Sequence, residues 1–205
     1  PPRELRDAGL IRGPEPAMKT NQQVPRLALW IVLYGVLLAQ TWRYLDGAIF
    51  YGEYLHWTGL QATHLLFIAL LATPLRRLFT TARWTQWLVR YRRDVGVAVF
   101  AYAAAHTCAY LLREADPAQI IADAMTAGIL TGWLALLLFL PLALTSNDYS
   151  VRRLRRRWRT LHRLVYAGAL LTLAHWVLTA FDPTIAYVYL AVLLVLLGAR
   201  AGRRT

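Results

Sequence analysis

Arginine and apolar residues alternate along this chain in blocks, and that alternation leaves few ways for it to fold. Six stretches are almost free of charge: Leu27–Trp42, Leu55–Leu75, Val95–Leu112, Ala124–Thr145, Leu161–Phe181 and Thr184–Ala199. A helix crossing a ~30 Å hydrocarbon core needs about 20 mostly apolar residues, with roughly 17–25 the usual range. Each stretch is close to that length, and Arg26 extends the first by snorkelling to the interface. The chain is 58% hydrophobic and only 17% charged. A soluble domain is about a quarter charged, and a disordered chain needs low hydrophobicity, so both classes are excluded. The fold predicted is all-α, a polytopic bundle of six transmembrane helices.

The charges orient it. With both termini cytoplasmic, 21 of the 23 Lys and Arg residues fall on the inner side, and only Arg43 and Arg113 fall outside. The positive-inside bias sets the orientation of short loops, and an odd number of spans destroys the alternation. The outer loops carry Asp46, Glu53, Glu114, Asp116, Asp123 and Asp182. The run Arg152–Arg159 resembles a nucleic-acid patch in composition. Between two spans on the inner face, topology and anionic membrane lipid explain it instead, and no nucleic-acid partner is expected. Residues 1–25 read as a disordered cytoplasmic tail, with Met18 a candidate natural start. Residues 26–199 form the membrane domain and residues 200–205 a basic tail.

All five histidines, His56, His64, His106, His162 and His175, lie in or at the edge of a span. Ionisable groups within a bilayer are costly and mark functional sites by default. A single one is explained by an interhelical hydrogen bond; five together point to ligation. The single cysteine, Cys108, excludes an internal disulfide and any Cys-based cluster, and reads as a small apolar filler. No His-Glu-x-x-His is present, and no carboxylate falls within the six stretches. Neutral imidazoles from different helices suit the axial positions of haem iron. His106 and His175 are at similar depth in the outer half and form the best pair. Gly96 and Ala101, Ala103, Ala104 and Ala105 are expected to leave room beside His106. His162 is 13 residues from His175, about 20 Å along a helix at ~1.5 Å per residue, which suits a second, inner haem. An ideal helix sets those side chains about 140° apart, so a distortion is expected, with Gly168 its candidate place. The fourth ligand stays open: His64 is near mid-membrane and His56 at the outer edge.

Smaller features read structurally. Gly128-x-x-x-Gly132 is expected to pack helices. Trp42, Trp57, Trp176, Tyr44, Tyr51 and Tyr54 are expected to form an outer aromatic belt, and Trp84, Trp87 and Trp158 an inner one. Pro141 is expected to kink its span.

The segments His56-Trp-Thr-Gly59, Leu71-Ala-Thr-Pro-Leu75, Arg92-Arg93-x-x-Gly96, His106, Leu142-Ala-Leu-Thr-Ser146 and Trp158-Arg-Thr-Leu-His162-Arg-Leu-Val-Tyr166, with His175, stand in the order found in one family. Over residues 26–199 the chain resembles the MsrQ (YedZ) proteins, haem-binding membrane subunits of the bacterial periplasmic methionine sulfoxide reductase system. They are relatives of the ferric-reductase transmembrane domain. The resemblance implies a b-type cytochrome of the inner membrane with one or two haems per chain. It draws electrons from the quinol pool or a cytoplasmic flavin reductase and passes them to a periplasmic molybdopterin subunit, MsrP, in a heterodimer. His106, His162 and His175 match the family's haem ligands; His64 and His56 are additional candidates. FMN is associated with the family, without residues that carry over. The chain is then an electron-transfer subunit, with no catalytic residue of its own. Without a Gly-x-Gly-x-x-Gly segment, it is expected to need an external electron donor. The alternatives are a stand-alone ferric or quinone reductase and a haem-free transporter or scaffold.

Overall fold

The computed structural model describes residues 23–201; the expected start at Met18, most of the N-terminal tail and residues 202–205 lie outside the described residues. Nine helices make up the described chain, with no strand among its residues: α1 Gln23–Leu45, α2 Tyr51–Leu78, α3 Arg83–Glu114, α4 Pro117–Ala124, α5 Ala127–Leu144, α6 Asp148–Leu154, α7 Arg156–His162, α8 Val165–Thr179 and α9 Thr184–Ala201. Five segments are long and apolar enough to cross a membrane: Arg26–Leu45, Tyr51–Leu78, Arg83–Glu114, Ala127–Leu144 and Arg156–Thr179. Thr184–Gly198 is a shorter apolar helix.

Helix ends follow local chemistry. Glu53 in the first turn of α2 and Arg76 and Arg77 in its last turn oppose the helix dipole. α3 stops at Ala115, which takes a left-handed φ of 54°. The short helix α4 starts from an Asp116 cap with Pro117 in its first turn. It lies in what the sequence reads as a plain outer loop.

Two antiparallel pairs dominate the packing, α2 with α3 and α5 with α8; α9 lies against α8, and α3 joins the pairs. The shared core holds Leu66, Phe67, Val99, Phe139, Leu173 and Leu193, drawn from all five of these helices. Outside it, large apolar side chains stay uncovered, such as Ile31, Leu38, Leu137 and Val195. Backbone groups in such helices are satisfied internally, so this apolar exterior is stable against lipid tails.

Helix α1 is held by polar clips. Tyr102 Oη donates to Leu33 O at 2.8 Å, and Thr41 Oγ1 and Tyr54 Oη are 2.8 Å apart. The third clip involves Asp94, a buried carboxylate in α3 whose Oδ1 accepts from Arg26 Nε and from Trp30 Nε1, both at 2.9 Å. The sequence reading placed Asp94 just outside a span and gave it no role. Its neighbours Arg92 and Arg93 disguise it, because they make the segment look like any basic loop end.

Several expectations are corrected. The distortion before His175 lies at Arg163–Leu164, where Arg163 N bonds Thr160 O and Leu164 N bonds Leu161 O in tight i→i−3 turns. Gly168 is regular helix, its missing side chain making room for Phe139: a Cβ there would lie 2.7 Å from the ring. The ideal-helix angle between His162 and His175 therefore does not apply across the break. Tyr54 is buried and stacked on Tyr44, and Trp57 and Trp176 pack inward on Tyr102 and Tyr189. Depth along the chain placed them in a belt, but depth does not tell which face of a helix a residue occupies. Trp42, Trp84 and Trp87 are exposed as belt residues are. Cys108 is exposed rather than a filler, because two residues turn it about 200° from His106.

Candidate functional site

A cavity of about 400 Å³ opens between α2, α3, α5 and α8 towards their arginine-poor ends. Its lining is mostly apolar, and His106, His175 and His56 all stand on it. The helix pairs supply one central histidine each: His106 from α3 and His175 from α8.

Both rings are anchored in the same way. His106 Nδ1 donates to Leu55 O across α2 at 2.9 Å, and His175 Nδ1 donates to Gly128 O of α5 at 2.8 Å. A carbonyl oxygen only accepts, so each imidazole carries its proton on Nδ1. Each therefore keeps the Nε2 lone pair, which has no hydrogen-bond partner among the described residues. A hydrogen bond from the distal ring nitrogen is how a ligating histidine is oriented and its tautomer fixed.

Each ring also lies on a glycine of the facing helix. A Cβ at Gly59 would sit 3.3 Å from His106 Nδ1, and one at Gly132 would sit 2.8 Å from His175 Nδ1. Gly96, expected to make this room, has nothing within 4 Å of a notional Cβ. Sequence reasoning missed Gly59 and misassigned the space, because the glycine that accommodates a ring is on the opposing helix. Gly128-x-x-x-Gly132 does pack helices, Gly128 against Thr179 and Gly132 against His175. In addition, Gly128 supplies the carbonyl that holds His175.

The two ring centroids are 6.2 Å apart with planes at 86°. An imidazole nitrogen binds a metal at about 2.0–2.1 Å and lies about 1.2 Å from its ring centre, so two on opposite sides of one ion have centroids roughly 6–6.5 Å apart. The pair has the spacing of two axial ligands, and the donor set, two neutral imidazoles in an apolar cleft, suits haem iron. No group of three His, Cys, Asp or Glu side chains gathers among the described residues, so a closed all-protein metal site is not formed there. The residues present fit a haem.

The remaining histidines are elsewhere. His56 is exposed at the mouth of the cavity. His64 faces Tyr189, centroids 5.9 Å apart, and does not line the cavity. His162 lies towards the arginine-rich end, stacked on Trp158 at 3.9 Å with Nε2 3.1 Å from Thr145 Oγ1. The Thr145 hydroxyl also contacts Pro141 O at 2.6 Å, so its proton is engaged there and His162 Nε2–H donates to it. At the opposite end, Tyr110 on the cavity wall donates to Asp123 of α4 at 2.9 Å, tying that helix to α3.

The family described as ferric reductase like transmembrane component matches residues 58–173, which include His106 and end two residues short of His175. A protein of Agrobacterium fabrum named protein-methionine-sulfoxide reductase heme-binding subunit MsrQ is 39% identical over 155 residues, 74% of this chain and 70% of that protein. The proteins of the same name from Xanthomonas oryzae and Brucella ovis are 38% and 33% identical; each alignment covers 85% of this chain, and 81% and 82% of those proteins. Together with the apolar helices, this makes the chain a multi-pass membrane protein, and by sequence it belongs to the MsrQ family.

Proposed function

We propose that the chain is the haem-carrying, electron-transferring membrane subunit of a methionine sulfoxide reductase system. The observation that carries this reading is the pair His106 and His175, each pinned through Nδ1 to a backbone carbonyl and centred 6.2 Å from the other. When bound, a haem supplies one-electron redox chemistry at a depth no side chain here can serve. His106 and His175 hold it; Leu55 O and Gly128 O orient them; Gly59 and Gly132 leave space for the rings. The apolar wall excludes water, and the Tyr110–Asp123 bond ties α4 to α3. His162 is the candidate ligand of a second haem towards the arginine-rich end, its Nδ1 left to ligate while Nε2–H donates to Thr145. His64 and His56 are not needed for the first.

The arginine distribution supports six spans with both termini cytoplasmic, α9 being the sixth, and residues 26–199 as one membrane domain. The membrane is then the bacterial inner membrane. Electrons enter from a quinol or a cytoplasmic flavin reductase, with FMN a candidate carrier. They leave to a periplasmic molybdopterin-containing reductase that repairs oxidised methionine; the relatives' names support a methionine sulfoxide reductase system as the setting.

The test is a dithionite-reduced minus oxidised spectrum of the purified protein, with haem extracted and counted per chain. Wild type shows a low-spin b-type signal. His106→Ala and His175→Ala lose it from the outer site, and His64→Ala keeps it. Unchanged haem content in the first two overturns the assignment; one haem per chain removes His162 as a ligand.

A further inference from the structure

A second cavity, of about 570 Å³, opens at the arginine-rich end between the close of α2, the first half of α3, and α6 and α7. Arg76, Arg77, Arg90, Arg92 and Arg93 line it, against one carboxylate, Asp148. Three of these guanidiniums have partners. Arg93 Nη2 pairs with Asp148 Oδ1 at 2.7 Å, Arg92 Nη1 reaches Thr73 Oγ1 at 3.2 Å, and Arg76 caps the carbonyls of Phe79 and Thr80. Arg77 and Arg90, from different helices, have no hydrogen bond or ion pair among the described residues.

The positive-inside bias accounts for arginine at this end but not for convergence. Arg77, Arg90 and Arg92 are exposed, as the arginines after Val151 are, but unlike those they border one concavity. Like charges gathered round one concavity repel each other, and low-dielectric walls strengthen the field inside it. An anion relieves that repulsion. The planar guanidinium fork matches phosphate oxygens two at a time. Basic pockets between membrane helices on the cytoplasmic side are known settings for lipid phosphate.

We propose that this cavity is a binding site for a phosphate group, held by Arg77 and Arg90 and flanked by Arg92. The phosphate is carried by a lipid headgroup or is free in solution. The site is independent of the haem held by His106 and His175, neither of which touches it; Trp158, on its wall, stacks on His162.

The experiment uses the full chain, haem-loaded, in nanodiscs of pure phosphatidylcholine or of phosphatidylcholine with phosphatidic acid. Inorganic phosphate is titrated by calorimetry, and haem is counted in each sample. In pure phosphatidylcholine, phosphate binds; the Arg77→Gln/Arg90→Gln double variant binds it at least tenfold more weakly. A control pair with the same charge loss outside the cavity, Arg152→Gln/Arg156→Gln, stays within twofold of wild type. Loss of phosphate binding in phosphatidic acid discs assigns the site to lipid. Equal binding in both discs assigns it to free phosphate. The proposal is overturned if phosphate binds in neither disc, or if the two double variants weaken it equally, which is surface charge alone. It is overturned too if the cavity variant loses haem in proportion, since the arginines then serve the macrocycle's own carboxylates.

Discussion

Adding one methyl group at Gly132 tests the cavity more sharply than deleting a ligand does. In Gly132→Ala the new Cβ would lie 2.8 Å from His175 Nδ1, 3.0 Å from Cε1 and 3.2 Å from Cγ, where ordinary contact begins near 3.4 Å. The obstacle is a ring, not the loose end of a flexible chain, and the ring is fixed on its other side by Gly128 O. To clear the methyl group, the imidazole or helix α5 must move by about 0.6 Å, three times the roughly ±0.2 Å tolerance of a metal–ligand distance. Overpacking of this kind costs about 1–3 kcal/mol. Loss of an orienting hydrogen bond to a ligating histidine typically weakens metal affinity by about 10–100-fold, or about 1.4–2.7 kcal/mol, so the two estimates agree.

Gly59→Ala brings its Cβ only to 3.3 Å from the His106 ring, which a shift of a tenth of an ångström relieves. Gly96→Ala meets nothing within 4 Å. The expected order of haem loss is therefore Gly132→Ala far ahead of Gly59→Ala, with Gly96→Ala like wild type. The assay is haem per chain by alkaline pyridine spectrum on protein that elutes as a single species, with the Soret position as a check on ligation. Full haem occupancy and an unshifted spectrum in Gly132→Ala refute the claim that His175 is a ligand seated on that glycine.

Three further perturbations have outcomes fixed by the geometry. Asp94→Ala removes the acceptor shared by Arg26 and Trp30; since Arg26 is half exposed and can turn to water, destabilisation of about 1–3 kcal/mol is expected, with Asp94→Asn milder, read from thermal midpoints in detergent. The Arg93 guanidinium holds the Asp148 carboxyl below its ordinary value of 3.8, so their pair adds stability above that pH and loses it as pH falls through the lowered value. The midpoint difference between wild type and Asp148→Asn is thus present at pH 7 and disappears only below pH 3.8; a difference that fades at higher pH contradicts it. Ala115→Gly relieves a left-handed φ of 54° at the end of α3, and a gain of roughly 1 kcal/mol in stability is expected; a loss shows that side-chain order there outweighs backbone strain.

Which parts of this molecule were legible beforehand follows from what each signal measures. Hydropathy and charge report depth, and depth alone was enough to place five helices long and apolar enough to cross a membrane and to put His106 level with His175. Neither reports azimuth. Tyr54 and Trp176 were put in a belt because they sit at the right height, and Gly96 was given the role that Gly59 and Gly132 hold across the gap. Azimuth is set by the contacts between α2 and α3 and between α5 and α8, to which no single helix's sequence is a guide. Asp94 was hidden for the converse reason: it sits in an already charged stretch of sequence, and only packing shows that it points at α1.

The same limit explains why the basic cavity escaped notice while the plainer run Arg152–Arg159 drew attention. Consecutive arginines are conspicuous in a sequence but diverge around a helix, whereas Arg77 and Arg90 are 13 positions apart and reach one space through the turn between α2 and α3. Convergence across a helical hairpin, not density along the chain, makes a charge cluster into a binding site. For the haem, likewise, it is not five histidines in six spans that matter. Two of them lose their Nδ1 protons' freedom to carbonyls on facing helices, and each keeps its Nε2 lone pair, with the ring centres 6.2 Å apart.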